Sequence, residues 1–157
     1  MGKVVLLVCS GNTCRSPMAE ALLKIALQEE AKESDYQIFS AGLFTWDGFS
    51  ASPEAAEVML REGIDITSHR SQQVNEKLVE QASLILTMTE AHRKQLLDRF
   101  PEQGDKIFTI KDFAQGHPGD ILDPFGKGIE AYTECYKQLK SLMGNIVARL
   151  WEKESGV

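Results

Sequence analysis

The chain reads as an α/β protein, a single domain spanning residues 1–157 and built on a doubly wound, four-stranded parallel sheet with helices on both faces. Three observations carry this reading. Short apolar runs of strand length alternate with stretches of helical periodicity. No internal repeat or low-complexity segment breaks the alternation. The 157 residues, 43% hydrophobic and 25% charged, suit one ordinary core that buries roughly 68–70% of the unfolded surface.

The first strand is Val4 to Val8, ending at Cys9. Met18, Ala21, Leu22 and Ile25 then recur at helical spacing, so a helix is expected from about Ser16 to Lys32, with Pro17 suited to its first turn. A second strand, about Gln37 to Ser40, leads through Ala41-Gly42 into a loop, Leu43 to Ala51, that carries Phe44, Trp46 and Phe49. Ser52-Pro53-Glu54 reads as an N-cap with proline at the first helical position, opening a helix that stops at Gly63.

The segment Ile64 to Gln73 has no regular pattern. A short helix near Glu76 to Gln81 precedes a third strand, Ser83 to Met88, and Thr89 can cap a helix ending near Phe100-Pro101. Ile107 to Ile110 is the fourth strand, followed by a long Gly-, Pro- and Asp-rich loop from Asp112 to Gly126. Ile129, Tyr132, Tyr136, Leu139, Met143, Ile146 and Leu150 mark a closing amphipathic helix, with Cys135 and Trp151 assigned to its packing. Right-handed crossovers restrict such a sheet, and ligands bind outside the carboxyl ends of its strands. Cys9, Ser40 to Gly42, Met88-Thr89 and the loop with Asp120 and Asp123 fall at that edge.

Composition excludes several classes. A net charge of −6 with scattered Lys and Arg argues against a nucleic-acid partner. No apolar run reaches the roughly 20 residues of a bilayer span, and a strand so near Met1 leaves no room for a signal peptide, so no membrane partner and a cytoplasmic location are expected. Three Cys argue against a disulfide framework, and neither they nor His69, His92 and His117 have paired metal-ligand spacing. No metal, no cofactor and a monomer are the expectations.

The chemistry concentrates between Cys9 and Ser16. Cys9 and Arg15 are separated by five residues, Ser10, Gly11, Asn12, Thr13 and Cys14, whose amides can wrap a tetrahedral oxyanion. Gly11 is assigned the backbone freedom that the wrap needs, the helix beginning near Ser16 adds its positive end, and Arg15 offers a bidentate fork. That field suits a Cys9 thiolate attacking phosphorus, with the amides and Arg15 stabilising the equatorial oxygens. A carboxyl group must then protonate the leaving group and later activate water. Asp123, held extended by Pro124, is favoured, and Asp120 is the competitor. Taken singly, a Cys that ends a buried strand is ordinarily a small apolar residue, and His69 a structural one. Trp46 is either a substrate contact or a plain loop aromatic.

Together, CSGNTCRSPMAEALL, Ser40-Ala41-Gly42, His69 and DILDPFGKG resemble the low-molecular-weight protein tyrosine phosphatases over essentially the whole chain, a family of flavodoxin-like architecture. The resemblance implies phosphorylated protein substrates, Cys9 as nucleophile, Arg15 as phosphate clamp and Asp123 as acid and base. It implies a supporting network of Asn12, Ser16, Ser40 and His69, and a reversible Cys9–Cys14 disulfide that protects the nucleophile. Thr13 in GNTCRS and the Asp-Pro-Phe-Gly acid loop match the bacterial protein-arginine phosphatase branch. Members acting on phosphotyrosine usually carry a bulkier aliphatic residue at Thr13 and aromatic pairs after Asp-Pro. On that resemblance Phe44 and Phe125 flank the guanidinium. Tyrosine phosphatase is the alternative. A thiol-dependent arsenate reductase fits poorly, because Gly63 to Gly126 holds no resolving Cys.

Overall fold

The protein is described by a computed structural model covering residues 2–155. Its elements in chain order are β1 (Lys3–Cys9), α1 (Arg15–Glu29), β2 (Tyr36–Gly42), α2 (Pro53–Arg61), α3 (Glu76–Gln81), β3 (Leu84–Thr87), α4 (Glu90–Arg99), a 3-10 segment (Pro101–Lys106), β4 (Ile107–Thr109), α5 (Ile110–Gln115) and α6 (Ile129–Ser155). The four strands are parallel in the order β2-β1-β3-β4. The chain leaves β1 towards β2 and returns past β1 to β3, so the topological switch lies between β1 and β3, at whose carboxyl ends a crevice opens.

Alternation along β1 divides the core. Val5, Leu7 and Cys9 face α1, α2, α5 and α6 together with Ile38, Leu84 and Leu86, whereas Leu6 and Val8 face α3 and α4 with Ile85, Leu96 and Ile107. Burial on both sides explains why the strands read as apolar runs rather than alternating patterns. Two caps act where the pattern places them, at Ser52 and Thr89, and Asn75 adds a third. Ser52, Asn75 and Thr89 accept from the amides of Ala55, Leu78 and His92 at the starts of α2, α3 and α4.

Several expectations change. The loop from Asp112 begins only after α5, which occupies Ile110–Gln115: Thr109 caps it through the Asp112 amide, and Gly116 ends it at φ +78°. Six residues, fewer than two turns, are too few to show periodicity. Helix α1 ends at Glu29 instead of Lys32, and Ile25 on it is only half-buried while Ala19, Leu23 and Leu27 carry the core face. Trp151 does not pack inside; it is 53% exposed, with Lys32 Nζ 4.3 Å from its ring centroid. Cys135, Tyr132 and Tyr136 are buried as expected. Among the described residues no helix is long and apolar enough to cross a membrane.

Candidate active site

The loop between β1 and α1 is shaped around Asn12, which adopts φ +56° and is fully buried. Asparagine is one of the few residues that enter the left-handed region readily. Gly11, expected to supply this freedom, has no positive φ. The glycine required nearby is Gly42, where an added Cβ would meet Ser10 O at 2.7 Å. The end of β2 therefore lies directly against the loop.

Every polar group on Asn12 is used. Its amide points at Cys9 Sγ (3.3 Å), and Nδ2 donates to Ser16 Oγ (2.8 Å) and Ser40 Oγ (2.9 Å). Oδ1 accepts from the Gln72 amide (2.9 Å), and the main-chain carbonyl accepts from His69 Nε2 (2.7 Å). A carbonyl can only accept, so His69 carries its proton on Nε2. Ser40 Oγ in turn donates a hydrogen bond to Glu20 Oε1 (2.6 Å). Ser16 Oγ lies 2.9 Å from Cys9 Sγ and already accepts from Asn12, which frees its hydroxyl hydrogen to point at sulfur. Two donors thus converge on Cys9, and the four residues named for support, Asn12, Ser16, Ser40 and His69, form one network. Glu20 and Gln72 extend it and were not anticipated.

Arg15, 4% exposed, opens α1 with its guanidinium held from two sides. Nη1 donates to Ile121 O (2.9 Å), and Nη2 lies 3.6 Å from Asp123 Oδ2. Ile121 is itself anchored by its amide on Met88 O (2.9 Å), at the end of β3. The two candidate carboxylates separate here. Asp120 accepts from the Glu90 amide at the start of α4, whereas Asp123 lines a cavity of about 260 Å³ with Cys9, Gly11, Thr13, Cys14, Arg15 and Phe125. Phe44 does not line that cavity. Its amide donates to Ser10 O, and its ring stands 71% exposed over an adjoining groove with Trp46.

The remaining thiols and His92 complete the surroundings. Cys14 is buried between Ser52 Oγ (3.4 Å) and Tyr132 OH (3.3 Å). Burial pushes the Cys135 thiol up to about 12 and raises the Tyr132 hydroxyl. His92, passed over in the sequence because its only signal was a place in the first turn of α4, sits with Nε2 2.9 Å from Ser10 Oγ. Its Nδ1 is buried without a partner. Desolvation first, then the positive charge of Arg15, lower His92 to about 4, against the opposing pull of Asp120 and Asp123. Among the described residues no three His, Cys, Asp or Glu side chains are grouped to hold a metal.

His92 links stability to pH. Its folded value, about 4, lies below the ordinary 6.5, so between them the unfolded chain binds more protons. The stability it contributes is full above pH 6.5 and falls away as pH drops towards 4. The loss in Tm between pH 7 and pH 4.5, measured by calorimetry, should be smaller in His92→Gln than in the parent; equal losses would contradict this assignment.

The model of the family described as "Low molecular weight phosphotyrosine protein phosphatase" matches residues 4–155. A protein-arginine-phosphatase of Geobacillus stearothermophilus is 41% identical over 93% of this chain and 95% of its own. A structure of YwlE arginine phosphatase with a phosphorylated active-site serine has a TM-score of 0.91 at 36% identity, covering 95% of this chain and 96% of that one. A low molecular weight protein tyrosine phosphatase from T. tengcongensis has a TM-score of 0.88 at 42% identity, covering 94% and 99%. A match of this extent, on a sheet whose first strand and the helix after it bring Cys9 and Arg15 to one cavity, makes the chain a member of the low molecular weight phosphotyrosine protein phosphatase family.

Proposed function

We propose that this protein hydrolyses phosphoarginine side chains of proteins through a phosphocysteine intermediate. The observation that carries the reading is the cavity in which Thr13 and Phe125 stand beside Cys9, Arg15 and Asp123. Relatives bear both arginine- and tyrosine-phosphatase names, so the choice rests on residues. A guanidinium brings several N–H donors into a closed site and needs acceptors there, which the Thr13 hydroxyl and the carbonyl oxygen of the protonated Asp123 supply. The Phe125 ring offers it a stacking face, and Phe44 contributes from the rim.

Cys9 Sγ attacks phosphorus in line as the phosphorus–nitrogen bond breaks, and Asp123 gives its proton to the departing guanidine nitrogen. The loop amides and Arg15 hold the equatorial oxygens. Asp123, now ionised, takes a proton from water, whose oxygen attacks phosphorus and releases phosphate and the thiolate. Ser16 and the Asn12 amide, already directed at Sγ, stabilise that thiolate as leaving group. The YwlE structure with phosphate on an active-site serine supports a phosphorylated enzyme on this path. Three free thiols suit a reducing cytoplasm, and a monomer is part of the same reading.

Side-by-side kcat/KM on phosphoarginine and phosphotyrosine peptides tests the assignment. The arginine peptide should be preferred, and Cys9→Ser should lose turnover by about three orders of magnitude or more while remaining folded; hydrolysis close to wild type in Cys9→Ser would refute the nucleophile. Thr13→Ile buries a guanidinium donor without its acceptor and should lower phosphoarginine turnover about tenfold or more while raising relative activity on phosphotyrosine. Undiminished arginine activity in that variant would count against the specificity argument. Cys14, next to the nucleophile cavity, is proposed as the resolving thiol: peroxide oxidises Cys9 to a sulfenic acid, which Cys14 condenses to a disulfide with loss of water. Mass spectrometry should find a Cys9–Cys14 crosslink; sulfinic Cys9 in its place would sink the idea.

A further inference from the structure

We propose that the groove beside the catalytic cavity receives the polypeptide flanking the phosphorylated residue, and that it selects an apolar side chain together with a carboxylate facing Arg99. This rests on the phosphatase reading above. The groove, about 630 Å³, shares Gly11 and Thr13 with the cavity of Cys9, so the two adjoin across these residues. The cavity itself, about 260 Å³, accommodates a phosphorylated side chain but not its neighbours. The substrate backbone must leave across a rim. One rim is the acid loop of Asp123 and Phe125, and the other is the groove.

The groove wall is apolar, exposed and fixed. Phe44, Trp46 and Phe49 are 71%, 77% and 51% exposed, a clustering that ordinary surfaces avoid. Their loop is not free to turn them inward. Ser71 accepts from the Phe49 amide (2.9 Å) and donates to Trp46 O (2.6 Å), while its own amide bonds Phe49 O (2.7 Å). Gln73 accepts from the Thr45 amide (2.9 Å) and donates to Leu43 O (2.8 Å). Such pinning keeps aromatic faces presented at little entropic cost on binding.

Arg99 supplies the charge. It is the one ionisable side chain lining the groove, and among the described residues no carboxylate lies within ion-pair distance of it. In a chain of net charge −6 this local cation is placed to accept an acidic side chain and to leave basic ones unpaired.

The test uses phosphoarginine peptides that carry an apolar residue on one flank and Glu or Lys scanned through the flanking positions, with free phosphoarginine as control. A matching phosphotyrosine set keeps the groove measurable whichever residue is hydrolysed, so failure of the arginine assignment and failure of the groove are separate results. Wild type should favour the Glu peptide at its best position by about three- to fivefold in kcat/KM, chiefly through KM, and less at high salt. Arg99→Lys should keep the preference, Arg99→Gln should lose it, and Arg99→Glu should reverse it. All three should turn over the free compound within about twofold of wild type. Phe49→Ser should weaken peptide turnover alone. An unchanged Glu-over-Lys ratio in Arg99→Glu, or equal losses on peptide and free compound, would overturn the proposal. A dimer in sedimentation that Phe49→Ser dissolves would also overturn it, because a second copy would then fill the groove.

Discussion

The structure turns on the conformation of one buried residue. Asn12 sits at positive φ, and five separate hydrogen bonds, from its main chain and its side chain, hold it there. A left-handed residue costs free energy unless its surroundings over-determine it. Here they come from β2 through Ser40, from α1 through Ser16 and from the segment after α2 through His69 and Gln72. The loop is therefore formed before any ligand arrives. The amide cradle proposed for the phosphoryl oxygens is thereby preorganised, the condition under which electrostatic stabilisation is most effective.

Arg15 is the second constraint, because a guanidinium 4% exposed must be compensated. Ile121 O takes one nitrogen and Asp123 faces the other. Both belong to the segment that crosses the end of β3, which means that the carboxylate proposed as acid and base is positioned by the same structure that fixes the cation. The sheet order places that segment over the switch point. Charge pairing and topology thus favour Asp123 over Asp120, whose oxygen is already committed to the start of α4.

The three cysteines show how environment separates residues of one type. Cys9 has two donors directed at sulfur, Cys14 rests between two hydroxyls within the same loop, and Cys135 is sealed in the face of α6 with its thiol pushed up to about 12. Redox chemistry is accordingly proposed for the loop pair alone. Ser52 ties the pair to the fold, capping α2, touching Cys14 and donating its amide to Thr13 O.

The strands, the capped helices and the β1–loop–α1 unit were legible in the sequence because each depends on local chemistry: apolar runs, Ser-Pro or Thr caps and the spacing of Cys9 to Arg15. Family resemblance supplied the rest of the catalytic assignment and the weight on Thr13. What the sequence could not decide is long-range. The positive φ went to Asn12 instead of Gly11 because three of the five bonds that hold it come from residues 28 to 60 positions away. Asp123, already favoured over Asp120 by Pro124 and by the resemblance, met Arg15, and Phe44 left the cavity for its rim, only when the loops were set in space. His92 and Ile121 carry no motif, since one acts through a buried ring nitrogen and the other through a main-chain carbonyl. Local pattern determines which groups a chain can offer; packing alone determines which of them meet, because hydrogen bonds and ion pairs act over a few ångströms that sequence distance does not measure.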